Sequence, residues 1–252
     1  VWVGAGPIAL VDYLAVEEVD PERLAAIAEG LRAGAQAAGV EVPGGELAVI
    51  PELIRGHGGA GTASGFDLCA SCFGTVQLDR IVTGDAIAPG DALIGIPASG
   101  LHSNGYTLAR RVLEPLGDDA TPPELGGATV ADVLLEPTVI YVRAVLELLR
   151  SAVDVHGLAH ITGGGLTNLL RLNDRVGYAV SDPLPVLGVF ELVQRLGGVA
   201  EDEMHEVFNM GCGFIAVVPA EQAAEAAALL ASHHPGARVI GAVTDSPGEI
   251  RR

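Results

Sequence analysis

The sequence predicts an α/β protein of the α+β type, with mixed sheets flanked by helices and two domains. Three observations predict it. Short apolar runs such as IALVDYLAV (8–16) and GFIAVVP (213–219) read as strands. Longer runs with helical spacing, PERLAAIAEGLRAGAQAAG (21–39) and AEQAAEAAALLASH (220–233), read as helices. The two kinds alternate throughout the 252 residues, and a hydrophobic content of 49% supplies a core for one large domain or two modest ones.

Taken in order, the strand at 8–16 leads into a helix with Pro21 in its first turn and Leu24, Ile27 and Leu31 on one face. FDLCASCFGTVQL (66–78) returns as a strand, and the intervening GGELAVIPELIRGHGGAGTASG (44–65) is expected to be mainly loop. GDAIAPGD (84–91) is polar and turn-rich, which sets a boundary between domains 1–83 and 84–252. A new series then opens with the strand ALIGIP (92–97). Helices are expected at about 104–116 and 138–151, after a glycine loop at 163, and in PVLGVFELVQRLGG (185–198). The chain closes on a second strand-helix-strand unit ending in RVIGAV (238–243).

Charge limits the partners. Acidic residues number 32 against 14 basic ones, all arginine, for a formal net charge of -18. Such a surface repels nucleic acid and anionic membranes, and any anion site must work locally through backbone N–H groups, arginine or a bound cation. No apolar run spans a bilayer and no basic-then-apolar leader is present, so a soluble cytoplasmic protein is expected. The first residue is Val1, which suggests an upstream portion beyond this sequence. Cys69, Cys72 and Cys212 are too few for a disulfide framework. Cys69 and Cys72 lie three apart on a strand, on opposite faces, and a buried structural role is expected.

Four polar spots interrupt the apolar pattern. In AHITGGGLTNLL (159–170) three glycines, Gly163, Gly164 and Gly165, stand between His160-Ile161-Thr162 and the first turn of an amphipathic helix. Unpartnered N–H groups at such a turn suit a phosphate, although a flexible strand-to-helix turn has the same composition. His102, Ser103 and Asn104 follow the strand ALIGIP directly, where ligands collect in open α/β sheets; capping of the next helix accounts for only one of them. Asn209 lies in FNMGCG at a strand edge. Glu46, in the turn Pro43-Gly44-Gly45-Glu46, and Asp12 are the carboxylates suited to magnesium beside nucleotide phosphates, or are solvated strand-end acids.

Four stretches in fixed order, GLHSNGY, LLEPTVIYV, GLAHITGGGLTNLLR and VFNMGCGFIAVV, together resemble AIR synthetase, the phosphoribosylformylglycinamidine cyclo-ligase of purine biosynthesis. The resemblance runs from about Pro7 to the end. It implies a two-domain architecture of the PurM-like type with an incomplete first domain that pairs with a second subunit in a homodimer. It also implies ATP and Mg²⁺, with phosphorylation of the substrate amide oxygen followed by ring closure. By this resemblance His160 and His102 are catalytic, Ser103, Asn104, Thr162, Gly163 to Gly165 and Asn209 hold substrate or phosphate, and Glu46 and Asp12 serve the nucleotide and metal. The family's upstream glycine loop has no counterpart here, and Leu47 and Val49 stand where the family carries a hydroxyl and a second carboxylate. Another ATP-using enzyme of the superfamily, or a non-catalytic paralogue that binds a nucleotide or partner, are the alternatives.

The excess of acid and the absence of lysine suit a high-salt cytoplasm, where screening removes most self-repulsion; a GC-rich genome encoding arginine for lysine gives the same composition. A melting temperature that rises from low to molar salt is expected on the first reading, and a flat salt titration would exclude it.

Overall fold

The computed structural model describes residues 1–56 and 64–252, so part of the RGHGGAGTASG stretch lies outside the described residues. Contacts divide the chain into two compact units, Val1 with Ala5–Ile81 and Trp2–Gly4 with Val82–Arg252.

The first unit is a three-stranded sheet in the order β2-β1-β3 with one helix. β1 (Gly6–Val16) leads through α1 (Pro21–Ala38) to a parallel β2 (Glu41–Val49), and β3 (Phe66–Thr75) runs antiparallel on the other side. Asp20 caps α1 by accepting from the N–H groups of Glu22 and Arg23, and Gly39 ends it in the left-handed region. Three expectations are corrected here. Residues 44–49, expected as loop, belong to strand β2, because Gly44 through Val49 pair in unbroken register with Val11 to Val16 of β1 despite the two glycines. Pro43-Gly44-Gly45-Glu46 is therefore strand and not a turn. Cys69 and Cys72 are exposed, since β3 is an edge strand on which no residue is buried.

The second unit carries a six-stranded mixed sheet, β5-β7-β4-β8-β6-β9. Its strands are β4 (Ala92–Pro97), β5 (Gly157–His160), β6 (Gly177–Val180), β7 (Cys212–Val218), β8 (Arg238–Thr244) and β9 (Ile250–Arg251). β7 and β8, joined by α7 (Ala223–His233), both pair antiparallel with β4. The closing strand-helix-strand unit is thus split, with β4 inserted between its strands. Every residue of β7 is buried, as its uninterrupted apolar run requires for a strand covered on both faces. Ile215 and Val217 point into one core with Leu93, Ile161, Leu169 and Tyr178. On the opposite face lie Phe214, Ala216 and Val218, paired with Ile96, Ile94 and Ala92, and α7 packs against β4, β8 and α4 (Val142–Arg150).

A second core gathers α2 (Tyr106–Leu113), α5 (Gly188–Gly197) and α6 (Glu201–Val207) around Phe190 and Phe208, whose ring centroids are 5.3 Å apart. The expected helix at 104–116 is shorter and ends in a 3-10 turn at Glu114–Leu116, because Pro115 enters it. The expected helix at 138–151 starts at Val142. The segment after the glycine loop is a 3-10 helix, Gly165–Arg171, instead of an amphipathic α-helix. α3 (Val130–Leu135), held by a Thr129–Asp132 capping box, and α6 lack a sequence-stretch long enough to show a helical period. No helix among the described residues is long and apolar enough to cross a membrane.

Leu93 on the inner strand β4 is fully buried. Leu93→Ala is expected to cost about 2–5 kcal/mol, read as a lower urea midpoint for the second unit; an unchanged midpoint would place Leu93 outside the core.

Candidate functional site

Two loops of the second unit meet beyond the ends of β4 and β5. Pro97 ends β4, and the N–H of Ala98 donates to the carbonyl of Gly211 (2.9 Å), tying the first loop to the turn before β7. Asn209 completes the clamp. Its Nδ2 donates to the carbonyls of Gly100 (2.9 Å) and Leu101 (3.4 Å), while its Oδ1 accepts from the N–H of Gly211 (2.8 Å). With both amide hydrogens used and the residue buried, Asn209 is a strut of the loop, which corrects its expected role as a substrate ligand. Ser99 Oγ donates to the carbonyl of Pro137 (2.7 Å) and Tyr106 Oη to that of Leu134 (2.6 Å), anchoring the same loop at its two ends.

Ser103 and Asn104 do not cap α2. Gly105 is its N-cap and no side chain bonds the first turn, so both polar side chains are left to the surface of the site. Ser103 Oγ lies 3.4 Å from Thr138 Oγ1. Asn104 reaches the second loop, where a Cβ built on Gly163 would stand 3.3 Å from its Oδ1.

The glycine loop is held mostly by itself. Gly165 has φ 54°, and a side chain there would strike the carbonyl oxygen of His205. The N–H of Gly164 donates to the carbonyl of Glu206 (2.7 Å) and that of Gly165 to the carbonyl of Thr162 (2.9 Å). These bonds correct the expectation of three outward N–H donors, leaving Gly163 as the glycine whose N–H has no protein acceptor among the described residues. Asn168 shapes the loop: its Nδ2 donates to the carbonyls of Gly163 (3.3 Å) and Gly165 (2.6 Å), and its Oδ1 accepts from Thr162 Oγ1 (3.1 Å). Its side chain made no signal in the sequence beyond a helix-breaking amide close after the glycines.

His102 and His160 come together from the two loops. Their ring centroids are 6.1 Å apart, and the Tyr141 ring lies 6.2 Å from the first and 6.1 Å from the second. Tyr141 donates from Oη to the carbonyl of Pro97 (2.8 Å). Gly213 lies under this triangle, and a Cβ there would run into Tyr141 Oη and come within 2.7 Å of His102 Cε1. His102 sits at φ 60°, a conformation that non-glycine residues adopt at a cost of about 1–3 kcal/mol and that clusters at functional sites. Burial, with His160 as a second cationic neighbour, pushes its pKa down to about 4; burial lowers that of His160 too. Both rings are therefore neutral near pH 7. His102 Nε2 accepts from the N–H of Ser99 (3.2 Å), so the ring proton is on Nδ1. Tyr141 and Gly213 were overlooked in the sequence, where an aromatic and a glycine inside apolar strings look like core.

In the first unit, Asp12 pairs in register with Gly45 and Tyr13 with Glu46. Registered partners share a face and successive residues alternate, so Asp12 and Glu46 lie on opposite faces of the sheet. They do not face one magnesium ion together within this sheet, and no cluster of three or more ligating side chains exists among the described residues.

The model of the AIR synthase related protein N-terminal domain matches residues 1–76, and that of the C-terminal domain matches 88–252. The phosphoribosylformylglycinamidine cyclo-ligase of Methanopyrus kandleri is 48% identical over 249 residues, 98% of this chain and 70% of that protein. That of Thermococcus gammatolerans is 50% identical over 247 residues, 98% of this chain and 69% of that protein. Among solved structures, the hydrogenase maturation protein HypE of E. coli superposes with a TM-score of 0.68 at 23% identity, covering 99% of this chain and 71% of that one. Thiamine-monophosphate kinase from Stenotrophomonas maltophilia K279a gives 0.67 at 19%, covering 99% and 73%. These two share the fold. With both parts matched by the family's models and relatives about half identical along nearly its whole length, the chain belongs to the AIR synthase related family.

Proposed function

We propose that this protein is an ATP-dependent cyclo-ligase that closes formylglycinamidine ribonucleotide to 5-aminoimidazole ribonucleotide in purine biosynthesis. The observation that carries the reading is the meeting of the His102–Asn104 loop with the Thr162–Gly165 loop, in a chain about half identical to enzymes of that name. In the reaction, the γ-phosphoryl group of ATP passes to the amide oxygen as its bond to ADP breaks. The amidine nitrogen then attacks the same carbon, the C–O bond to phosphate breaks, and ring formation ends with loss of a proton. Charge builds on the transferring phosphoryl and then on the leaving phosphate.

Uncharged donors meet that charge in this reading. Ser103, Asn104 and the N–H of Gly163 surround it, Thr162 holds the loop through its bond to Asn168, and neutral His160 and His102 stand behind them. Donors placed in advance around a developing anion lower the barrier without any need for a cationic surface. The carboxylates Asp12 and Glu46 contribute no shared metal site to this account. ATP is the co-substrate, and the cytoplasm is the compartment the pathway implies. A homodimer built through the first unit gives a use to its open sheet face, where Val11 and Tyr13 are exposed.

The test is ADP release with ATP, Mg²⁺ and formylglycinamidine ribonucleotide, for this chain alone and joined to the glycine-loop segment that the family resemblance places upstream. Substrate-dependent ADP release in either form supports the reading, and none in both favours a non-catalytic relative. In the active form, His160→Ala and Asn104→Ala are each expected to lower kcat by roughly 10²–10³; rates within twofold of the parent would remove them from the site.

The pH dependence follows from His102. Above pH 6.5 its ring is neutral in the folded and unfolded chain alike. Between 6.5 and about 4 the unfolded chain takes up a proton that the folded chain does not, so stability is lost as pH falls through that window. The melting temperature of the second unit is expected to drop more steeply from pH 7 to pH 4 in the parent than in His102→Phe. Parallel curves would mean that His102 is not held neutral.

A further inference from the structure

The hydrogen-bond ledger of the histidine pair does not close within the protein. His102 Nδ1 and His160 Nε2 are both buried and both lack a partner, although their ring centroids lie 6.1 Å apart with the planes tilted by 45°. Buried ring nitrogens are ordinarily satisfied, and leaving one bare costs about 1–3 kcal/mol. Two bare nitrogens on neighbouring rings point to a shared partner. The rings are too far apart for a direct N–H···N bond at the usual length of about 3 Å, and the spacing suits one water between them. Gly213 contributes no side chain to the floor of the ring triangle. The only hydroxyl on the triangle, that of Tyr141, is already turned to the carbonyl of Pro97.

The direction of the bridge is fixed by the backbone. Because the N–H of Ser99 occupies the lone pair of His102 Nε2, His102 can offer only a donor at Nδ1. A water that accepts that hydrogen keeps two of its own to give, and the unpartnered buried nitrogen on the neighbouring ring is His160 Nε2. That nitrogen must then be bare of hydrogen, and the ring proton of His160 must lie on Nδ1, the nitrogen that is not buried without a partner.

We propose that His102 is a positioning residue which, through one bridging water, locks His160 as the neutral Nδ1–H tautomer. His160 thereby faces the site as a hydrogen-bond donor and not as a general base. This deepens the cyclo-ligase reading, in that a donor is what a transferring phosphoryl group or leaving phosphate needs, but the tautomer itself stands or falls independently of the activity.

The test is long-range proton–nitrogen NMR on the full chain with ¹⁵N-labelled histidine at pH 7.5, with signals assigned by single substitutions. Both His102 and His160 are expected as Nδ1–H tautomers, against the Nε2–H form that free histidine prefers. In His102→Phe, which keeps a ring and removes both nitrogens, His160 is expected to revert to Nε2–H. A wild-type His160 found as Nε2–H or as imidazolium would overturn the proposal, as would an unchanged tautomer in the folded variant. Should the variant not fold, the wild-type spectrum alone decides. Tautomers as proposed in a protein without cyclo-ligase activity would sink the functional reading and leave this one intact.

Discussion

The site in the second unit hangs on the side-chain amide of Asn209. Two of its three hydrogen bonds join segments more than a hundred residues apart and hold the loop that carries His102, and the third fixes its own turn. That clamp, with the bonds of Ala98, Ser99 and Tyr106, helps hold His102 at φ 60°, a conformation that an isolated non-glycine residue leaves for lower energy. From the position of His102 follow its bond to Ser99, its tautomer and its approach to His160. The glycine loop depends on a parallel device, with Asn168 bonding the carbonyls on either side of Gly164. Two buried asparagines thus shape the two loops, and Asn104 and the N–H of Gly163 are left to meet a ligand.

The acidic surface gives this arrangement its chemical sense. A protein of net charge -18 gains nothing from long-range attraction of phosphates. What it can do is hold neutral donors in place beside the buried His102, where each hydrogen bond is stronger than in bulk water. Neutral histidines fit that scheme better than cationic ones. Burial maintains them as such, since a charged imidazole would lose its hydration without gaining a carboxylate partner.

Much of the fold was legible from periodicity. The strands at 8–16, 92–97 and 212–218 and the long helices 21–38 and 223–233 are where apolar spacing put them. β2 was not, because Pro43, Gly44 and Gly45 mimic a turn; only its pairing with β1 shows otherwise. The short α3 and α6 were also hidden, as six or seven residues hold less than two turns of pattern. For the site, the polar residues that interrupt strand ends identified His102, Ser103, Asn104, His160 and Thr162 as candidates. Their geometry was beyond reach: that Asp12 and Glu46 diverge is a matter of strand register, and that Asn209 faces inward is a matter of tertiary packing.

Gly213 and Tyr141 occupy the same volume by turns. The tyrosine hydroxyl stands where any side chain at 213 would begin, so the two positions are one choice divided between two codons. A lineage that acquired alanine at 213 would have to surrender the hydroxyl at 141, and with it the bond to Pro97 that steadies the end of β4. Such a pair changes together or not at all. His102 Cε1 stands only 2.7 Å from that same point, so even the loss of the hydroxyl would leave position 213 closed unless the histidine moved as well.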